Sequence, residues 1–427
     1  LAFAMQLATK KAGIDDCPHA TDEAKSALAG AEAPPIRLVE VGPAAQCIVM
    51  GKETVLFRHE ETFYHPTAIA VRIRSDKSDD ELKAALERVK GLVFDRVGQY
   101  VRVELVVIED ADGDAERFTA AAKMADEMEL SLVLMSSSPA VIEAALPGIA
   151  ERRPLLDAAT SETWEAMAGL AKAHGCPLVV RGADLDELAE LTAKVAAAGV
   201  EDLIIDSGAR SLAPTLRDLT QIRRLALRRQ FRPLGYPALA VVTAEEPIDQ
   251  VTQAAAYISK YAAMVYVPEL EPWQALAMVT ARQNIYTDPQ KPIQVEAGLT
   301  TIGTPDASSP VLVTTNFSLT YFIVEADVES SHTAAWVVVV DTAGQSVMTA
   351  WAADTFNEDT IAKALESTGV AEKVDHKRCI IPGGVAAISG KLEEASGWGV
   401  AVGPRESAGI PAFMREVWRQ SEPVAGA

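Results

Sequence analysis

Cysteine is scarce. Four occur in 427 residues, at positions 17, 47, 176 and 379. They stand too far apart for a disulfide framework or a zinc-type pair, which points to a reducing, cytoplasmic setting. Basic residues are also short, with 39 Lys and Arg against 60 Asp and Glu for a formal charge of −21. That balance argues against nucleic acid and against anionic membrane surfaces, both of which call for basic patches. No apolar run approaches the roughly 18 residues of a membrane span. Leu1-Ala-Phe-Ala-Met5 has no basic start, and Lys10 and Lys11 follow soon after, so no signal peptide is expected. The chain opens on leucine, which reads as a fragment. Neither a G-x-G-x-x-G fingerprint nor a Walker loop occurs, which weakens dinucleotide and nucleoside triphosphate readings. What is plentiful is ordinary: 49% hydrophobic and 23% charged residues, enough for two or three globular domains with ample cores.

Residues 1–50 read as two short helices, 1–11 and 21–28, followed by an Ala/Pro-rich linker at 29–35. Cys17 stands directly before Pro18. A lone cysteine there is commonly structural, and it is also how the last ligand of a cubane iron–sulfur cluster looks. From residue 51 to 296 the pattern changes. A strand is expected at 53–58, as half of a hairpin. Apolar strand runs then fall at 68–74, 101–108, 131–135, 154–156, 178–181, 203–206, 238–242 and 265–267, with helical stretches between them. Eight strand–helix units of roughly 25–30 residues fit a closed (β/α)8 TIM barrel, with an open doubly wound sheet as runner-up. The expected strand ends carry Ser75, Glu109, Asp110, Ser136, Ser137, Asp157, Arg181, Asp206, Ser207, Thr243 and Glu269. Such a carboxylate-rich rim could take a pterin or a metal-bound sugar. It also suits plain caps and solvated rim residues, and it lacks a clustered His/Asp/Glu metal set.

Residues 283–304 read as a boundary, and residues 297–427 as a small Rossmann-like α/β domain. Strands are expected at 311–313, 319–324, 336–340, 379–381 and 399–402, with helices at 360–367, 391–395 and 410–418. Three strand ends are bare or small and polar. The first carries Thr314, Thr315, Asn316 and Ser318. The second is Pro382, Gly383, Gly384, Val385, Ala386, Ala387, Ile388, Ser389 and Gly390. The third is Gly403, Pro404, Arg405, Glu406, Ser407, Ala408 and Gly409. A turn with Thr342 and Gly344 follows another strand. In open parallel sheets, ligands lie beyond the carboxyl ends of the strands. Loops with so little side-chain bulk let a ligand lie against backbone N–H groups. Only Arg405 is cationic in the third loop, so the expected ligand is bulky and neutral or weakly charged. A flavin, a nucleotide or a larger ring meets that description, and among cofactors corrinoids fit it.

Leu1-Ala-Phe-Ala-Met5, Asp16-Cys-Pro18, Ala33-Pro-Pro-Ile36, Thr314-Thr-Asn-Phe-Ser-Leu-Thr-Tyr321, Ile380-Ile-Pro-Gly383, Ile388-Ser-Gly390 and Gly403-Pro-Arg-Glu406 together resemble the large (gamma) subunit of the corrinoid iron–sulfur protein. That family belongs to the acetyl-CoA synthase/decarbonylase system, and the resemblance runs over essentially the whole chain. It implies the remnant of an N-terminal 4Fe–4S module (1–50), a TIM barrel (51–296) and a corrinoid-binding domain (297–427). It implies Cys17 as the fourth cluster ligand, with the other three lying before Leu1. It implies that a base-off corrinoid is held by the three bare loops and the 342–344 turn. The six histidines (19, 59, 65, 174, 332, 376) include none in the D-x-H-x-x-G motif by which other methyl carriers supply a lower ligand. The implied role is a methyl carrier, non-catalytic on its own or a methyltransferase-class subunit, with no catalytic residue assigned. The methyl group comes from methyltetrahydrofolate through a methyltransferase and goes to the nickel site of acetyl-CoA synthase/CO dehydrogenase. The implied partner is a small (delta) TIM-barrel subunit, as a heterodimer. Two other classes stay open on the residues alone: a stand-alone pterin-dependent barrel methyltransferase, and a flavodoxin-like electron carrier.

Overall fold

The computed structural model describes residues 34–418 apart from 97 and 98, together with Thr21. Cys17 and the helices expected at 1–11 and 21–28 lie outside those residues. The chain divides into two compact units, residues 1–94 with 101–286 and residues 287–427 with 95–100. Among the described residues no helix is long and apolar enough to cross a membrane.

The first unit is a closed barrel of eight parallel strands. A hairpin, β1 (Val39–Val41) with β2 (Ile48–Met50), precedes it. The first barrel strand is β3 (Ala68–Arg74). A two-stranded ribbon, β4 (Val93–Arg96) with β5 (Gln99–Arg102), follows the first helix. The remaining barrel strands are β6 (Leu105–Glu109), β7 (Ser131–Met135), β8 (Leu155–Ala159), β9 (Leu178–Arg181), β10 (Leu203–Asp206), β11 (Ala238–Val241) and β12 (Met264–Val267). They run round the barrel in chain order, and β12 closes on β3. Strand periodicity explains the packing. Ala68, Ala70, Leu105, Val107, Val133, Val179, Ile204, Met264 and Tyr266 point into the lumen. Ile69, Val71, Ile73, Val106, Ile108 and Leu134 point outward against the helices. Val39, Val41 and Met50 of the hairpin join the lumen cluster, and Gln46 lies against Ser131 at the start of β7. The hairpin therefore plugs the amino end and leaves the carboxyl end as the mouth. Helix starts follow the capping rules. Ser78 and Glu81 form a reciprocal box, and Asp114 and Asp184 each accept from two backbone N–H groups of the following turn.

The second unit is a five-stranded sheet: β13 (Gly298–Ile302), β14 (Val311–Thr315), β15 (Ala335–Val340), β16 (Arg378–Ile381) and β17 (Gly399–Val402). Its order is β13-β15-β14-β16-β17, with β13 antiparallel and the rest parallel. One face packs under the helices Glu358–Ser367 and Ser389–Ser396, around Phe356, Ile361, Leu365 and Leu392. The other packs under Ser318–Ser330 and the C-terminal helical segment, around Tyr321, Val328, Ile410 and Met414. This is a doubly wound sheet with helices on both faces.

Several expectations need correction. Residues 319–324 are not a strand but the start of the helix Ser318–Ser330. Their aromatic and β-branched run favours a strand locally, yet tertiary packing decides. Residues 53–58 form no strand, because the Val55 carbonyl accepts from the Arg223 guanidinium instead of a ladder partner. The single run 101–108 is two strands. It breaks at Glu104, whose carboxylate leaves the strand to pair with Arg282 (2.6 Å) and to accept from the Ile69 N–H (3.2 Å). The strands β1, β2, β4 and β13 were not expected.

Candidate functional site

Along the sheet of the second unit, β14 leads one way to β15 and the later strands lie on its other side, next to β16. The connections therefore diverge between β14 and β16, and a cleft opens at the carboxyl ends of such a pair. A cleft of about 170 Å³ lies there. Its lining includes Val313, Thr314, Ile381, Pro382, Gly384, Gly403, Pro404, Arg405 and Ser407.

The second and third bare loops meet backbone to backbone. The Gly383 N–H donates to the Pro404 carbonyl (3.1 Å), and the Gly403 N–H to the Ile381 carbonyl (2.9 Å). A Cβ on Gly383 would stand 2.4 Å from the Gly403 carbonyl oxygen and 2.8 Å from the Pro404 carbonyl carbon. Glycine is needed here for close approach, not for an unusual φ. A Cβ on Gly384 would meet the Met348 sulfur at 2.8 Å, on the cleft side.

Thr314, Thr315 and Ser318 are 1%, 0% and 1% exposed. Their hydroxyl oxygens are buried with no hydrogen-bond partner among the described residues. Buried polar atoms are normally satisfied, and an orphan costs about 1–3 kcal/mol. Asn316 differs. Its Oδ1 accepts from the Thr342 N–H (3.0 Å), the Thr342 hydroxyl (3.0 Å) and the Gly344 N–H (2.9 Å). Its Nδ2 donates to Gln294 (3.2 Å) and Asp341 (3.0 Å). The Asn316 amide is spent on tying the end of β14 to the turn after β15, and Thr342 and Gly344 are the other ends of that tie.

The residues singled out from sequence thus separate. Thr314, Pro382, Gly384, Gly403, Pro404, Arg405 and Ser407 line the cleft. Gly383 and Gly409 press against its Pro404 wall. Val385 and Ile388 are core. Ala386, Ala387, Gly390, Glu406 and Ala408 are exposed, and Ser389 is half-buried as the first residue of the helix Ser389–Ser396. Thr320, Val324, Val347, Met348, Ile410, Phe413 and Met414 also line the cleft and were not foreseen. The first two belong to the run misread as a strand. With helical spacing, the i, i+4 pair Thr320 and Val324 could have been placed on one face. The floor is mostly apolar, no histidine lines it, and Arg405 is the one charged lining residue.

At the barrel mouth most of the rim charges pair off. Arg72 holds Glu109 through Nη2 (2.8 and 2.9 Å to the two carboxylate oxygens) and Nε (3.2 Å), and Lys77 holds Glu269 (2.7 Å). Ser136 donates to Asp110 (2.6 Å), Ser75 accepts from the Ala111 N–H, and Thr243 donates to the Arg210 carbonyl. Arg181 bridges Asp157 (2.5 Å) and Asp206 (2.9 Å), and Arg210 also binds Asp206 (2.7 Å). Burial pushes Asp206 up, but the Arg210 and Arg181 guanidiniums outweigh it and hold it below the usual carboxylate range. Asp157 ends above that range, because burial, helped by the Asp206 charge, outweighs Arg181, the Tyr266 hydroxyl and the more distant Arg210. Among the described residues no cluster of His, Cys, Asp and Glu could hold a metal ion. Cys176 and Cys379 are buried strand-side thiols, pushed by burial to about 11 and about 12.

Comparison with known proteins gives the family. The model of the CO dehydrogenase/acetyl-CoA synthase delta subunit family matches residues 38–414. The corrinoid/iron–sulfur protein large subunit of Moorella thermoacetica is 48% identical over 416 residues, covering 97% of this chain and 93% of that protein. The acetyl-CoA decarbonylase/synthase complex subunits gamma of Methanothermobacter thermautotrophicus and Methanopyrus kandleri are each 34% identical, with 97% of this chain and 93% of each relative covered. The chain therefore belongs to the family that holds the corrinoid/iron–sulfur protein large subunit and the gamma subunits of the acetyl-CoA decarbonylase/synthase complex.

Proposed function

We propose that this chain is the methyl-carrying subunit of an acetyl-CoA synthase system, and that the cleft between β14 and β16 holds part of a corrinoid. The observation that carries the proposal is the buried, unpartnered hydroxyl of Thr314, which lines the cleft beside a floor of bare backbone. A cofactor rimmed with amide groups would satisfy that hydroxyl, and its bulk would use the space that Gly384 and Gly403 leave clear. At about 170 Å³ the cleft suits one arm or edge of a large ring rather than all of it.

When bound, the corrinoid supplies a cobalt that takes up and releases a methyl group. The chain's own residues position it. The zipped loops at 382–384 and 403–405 form a rigid edge, and Asn316 locks the turn beside the hydroxyl-bearing strand end. Val347, Met348, Phe413 and Met414 exclude water from the apolar floor. The lining residues include no histidine, so they would offer a bound corrinoid hydroxyl, backbone and apolar contacts.

The methyl donor in this proposal is methyltetrahydrofolate, acting through a separate methyltransferase. The acceptor is the nickel site of acetyl-CoA synthase. The partner is a small subunit, and the setting is the cytoplasm. Cys17 is proposed as one ligand of a 4Fe–4S cluster that restores cobalt oxidised by accident.

The test is metal content and the visible spectrum of the purified protein, before and after a low-potential reductant. Stoichiometric cobalt is expected, with Co(I) bands that vanish when a methyl donor and methyltransferase are added. Absence of cobalt and of corrinoid absorbance, after reconstitution with the small subunit, would overturn the proposal.

A further inference from the structure

The proposed role makes no use of the barrel mouth, yet the mouth is built like a binding site. A cavity of about 370 Å³ opens at the carboxyl ends of the strands, walled by Glu109, Asp110, Ser136, Ser137, Asp157 and Arg181. That is the end at which TIM barrels place their ligands, and the volume falls in the range of small-molecule sites. The rim pairs described above would make it an ordinary solvated surface except at one point. Asp157 is 0% exposed and lines the cavity, and its Oδ2 completes no hydrogen bond among the described residues. Its Oδ1 is bound by Arg181 Nη2 at 2.5 Å, and Arg181 Nε is committed to Asp206 at 2.9 Å. The third guanidinium nitrogen, Nη1, makes no hydrogen bond among the described residues, while the Arg181 side chain keeps 27% of its surface at the mouth. Among the described residues an unfilled acceptor and an unfilled donor therefore sit on one ion pair.

We propose that the mouth binds a small neutral molecule with a lactam-type edge, its N–H donating to Asp157 and its carbonyl accepting from Arg181. The charges select for neutrality. An anion would face Glu109, Asp110 and Glu162 as well as Asp157, and the one lining cation already serves two carboxylates. A cation would reach Asp157 only alongside the Arg181 guanidinium. A neutral donor–acceptor edge matches both groups and meets neither repulsion, and buried polar sites reject analogues that leave one of their groups unpaired. Tyr266 is the competing partner. Its buried hydroxyl acts on the Asp157 carboxylate as a side-chain hydrogen-bond partner, although the contact falls short of hydrogen-bond geometry. If the two closed on each other, the mouth would have nothing left to recognise.

The experiment is a titration of the full chain with 2-pyridone, followed by saturation-transfer NMR, with N-methyl-2-pyridone, benzoate and benzamidinium as controls. Saturable binding of 2-pyridone is expected, weakened about tenfold or more by the N-methyl group, which removes the donor. Neither charged control should displace it. Asp157→Asn, which turns the free acceptor into a donor, should weaken binding to the same degree. Ser137→Trp at the exposed lip should block binding with no change in melting temperature, and it decides the matter if Asp157→Asn fails to fold. Tyr266→Phe should leave binding intact. The proposal is overturned by no saturable binding, by equal binding of the N-methyl compound, or by preference for benzamidinium or benzoate. Binding indifferent to both Asp157→Asn and Ser137→Trp, or abolished by Tyr266→Phe, overturns it as well.

Discussion

Thr314 carries a hydroxyl that the folded protein buries and leaves unpartnered, so its removal should act in opposite directions on fold and ligand. Thr314→Val keeps the shape and deletes the orphan. In the ligand-free protein the expected result is a gain of about 1 kcal/mol, read from denaturant unfolding. In the corrinoid-binding titration the expected result is a loss of about five- to tenfold. A hydroxyl that were only a packing accident would give the gain without the loss. Cys379 and Cys176, 0% and 3% exposed, show how burial silences a thiol. With Cys379 held near 12, the thiolate fraction at pH 8 is about 1 in 10⁴. Neither thiol should react with iodoacetamide in the native chain at pH 8, and both should react once it is unfolded, as read by mass spectrometry. The same shift gives a pH dependence. Unfolded thiols lose their protons from about pH 8.5 upward, whereas these stay protonated to about 11 and about 12. The native chain then binds more protons than the unfolded one, so stability is full below pH 8.5 and falls as pH rises through that window.

Among the elements, the loop after β16 divides into positions that tolerate a side chain and positions that do not. Gly383→Ala puts a Cβ 2.4 Å from the Gly403 carbonyl oxygen, with two further backbone atoms within 2.9 Å, so the two loops must part. A destabilisation of about 2 kcal/mol or more and loss of bound corrinoid are expected. Gly390→Ala, in the helix Ser389–Ser396 with nothing within 4 Å, should instead add about 0.5–1 kcal/mol and leave corrinoid content unchanged. Thermal melts and cobalt analysis of the pair check both. This division was half legible in the sequence. The glycines marked close approach, but their shared wall is made by Pro404 across the sheet, which no local pattern reveals. The same limit explains the run at 319–324. Tyr321, Phe322, Ile323 and Val324 favour a strand, and only the sheet above Tyr321 and Val328 makes the helix the better burial. At 53–58 the deciding partner, Arg223, lies some 170 residues away.

For the whole molecule, periodicity carried the barrel, because each strand–helix unit repeats locally: 68–74, 131–135, 178–181 and 203–206 were read with the bounds they have. Sheet order in the second unit was not readable, since nothing near β15 or β16 in sequence says which lies on which side of β14. That order matters, because it puts the cleft wholly within one unit. The barrel buries its own two clusters, around Ile69 and Val107, and the second unit buries two others, around Val338 and Val339. A ligand that binds one native unit stabilises that unit by RT ln(1 + [L]/Kd), about 2.7 kcal/mol at a hundredfold excess over Kd. For a domain of this size that is roughly 10 °C in Tm. Differential scanning calorimetry with and without corrinoid should move the transition of residues 287–427 by about that amount and leave the barrel transition in place. Hydrogen exchange should show protection gained at β14 and β16 and none at β7 or β10. An equal shift of both transitions, or protection appearing in the barrel strands instead, would move the site out of the cleft, and with it the reason for the buried Thr314 hydroxyl.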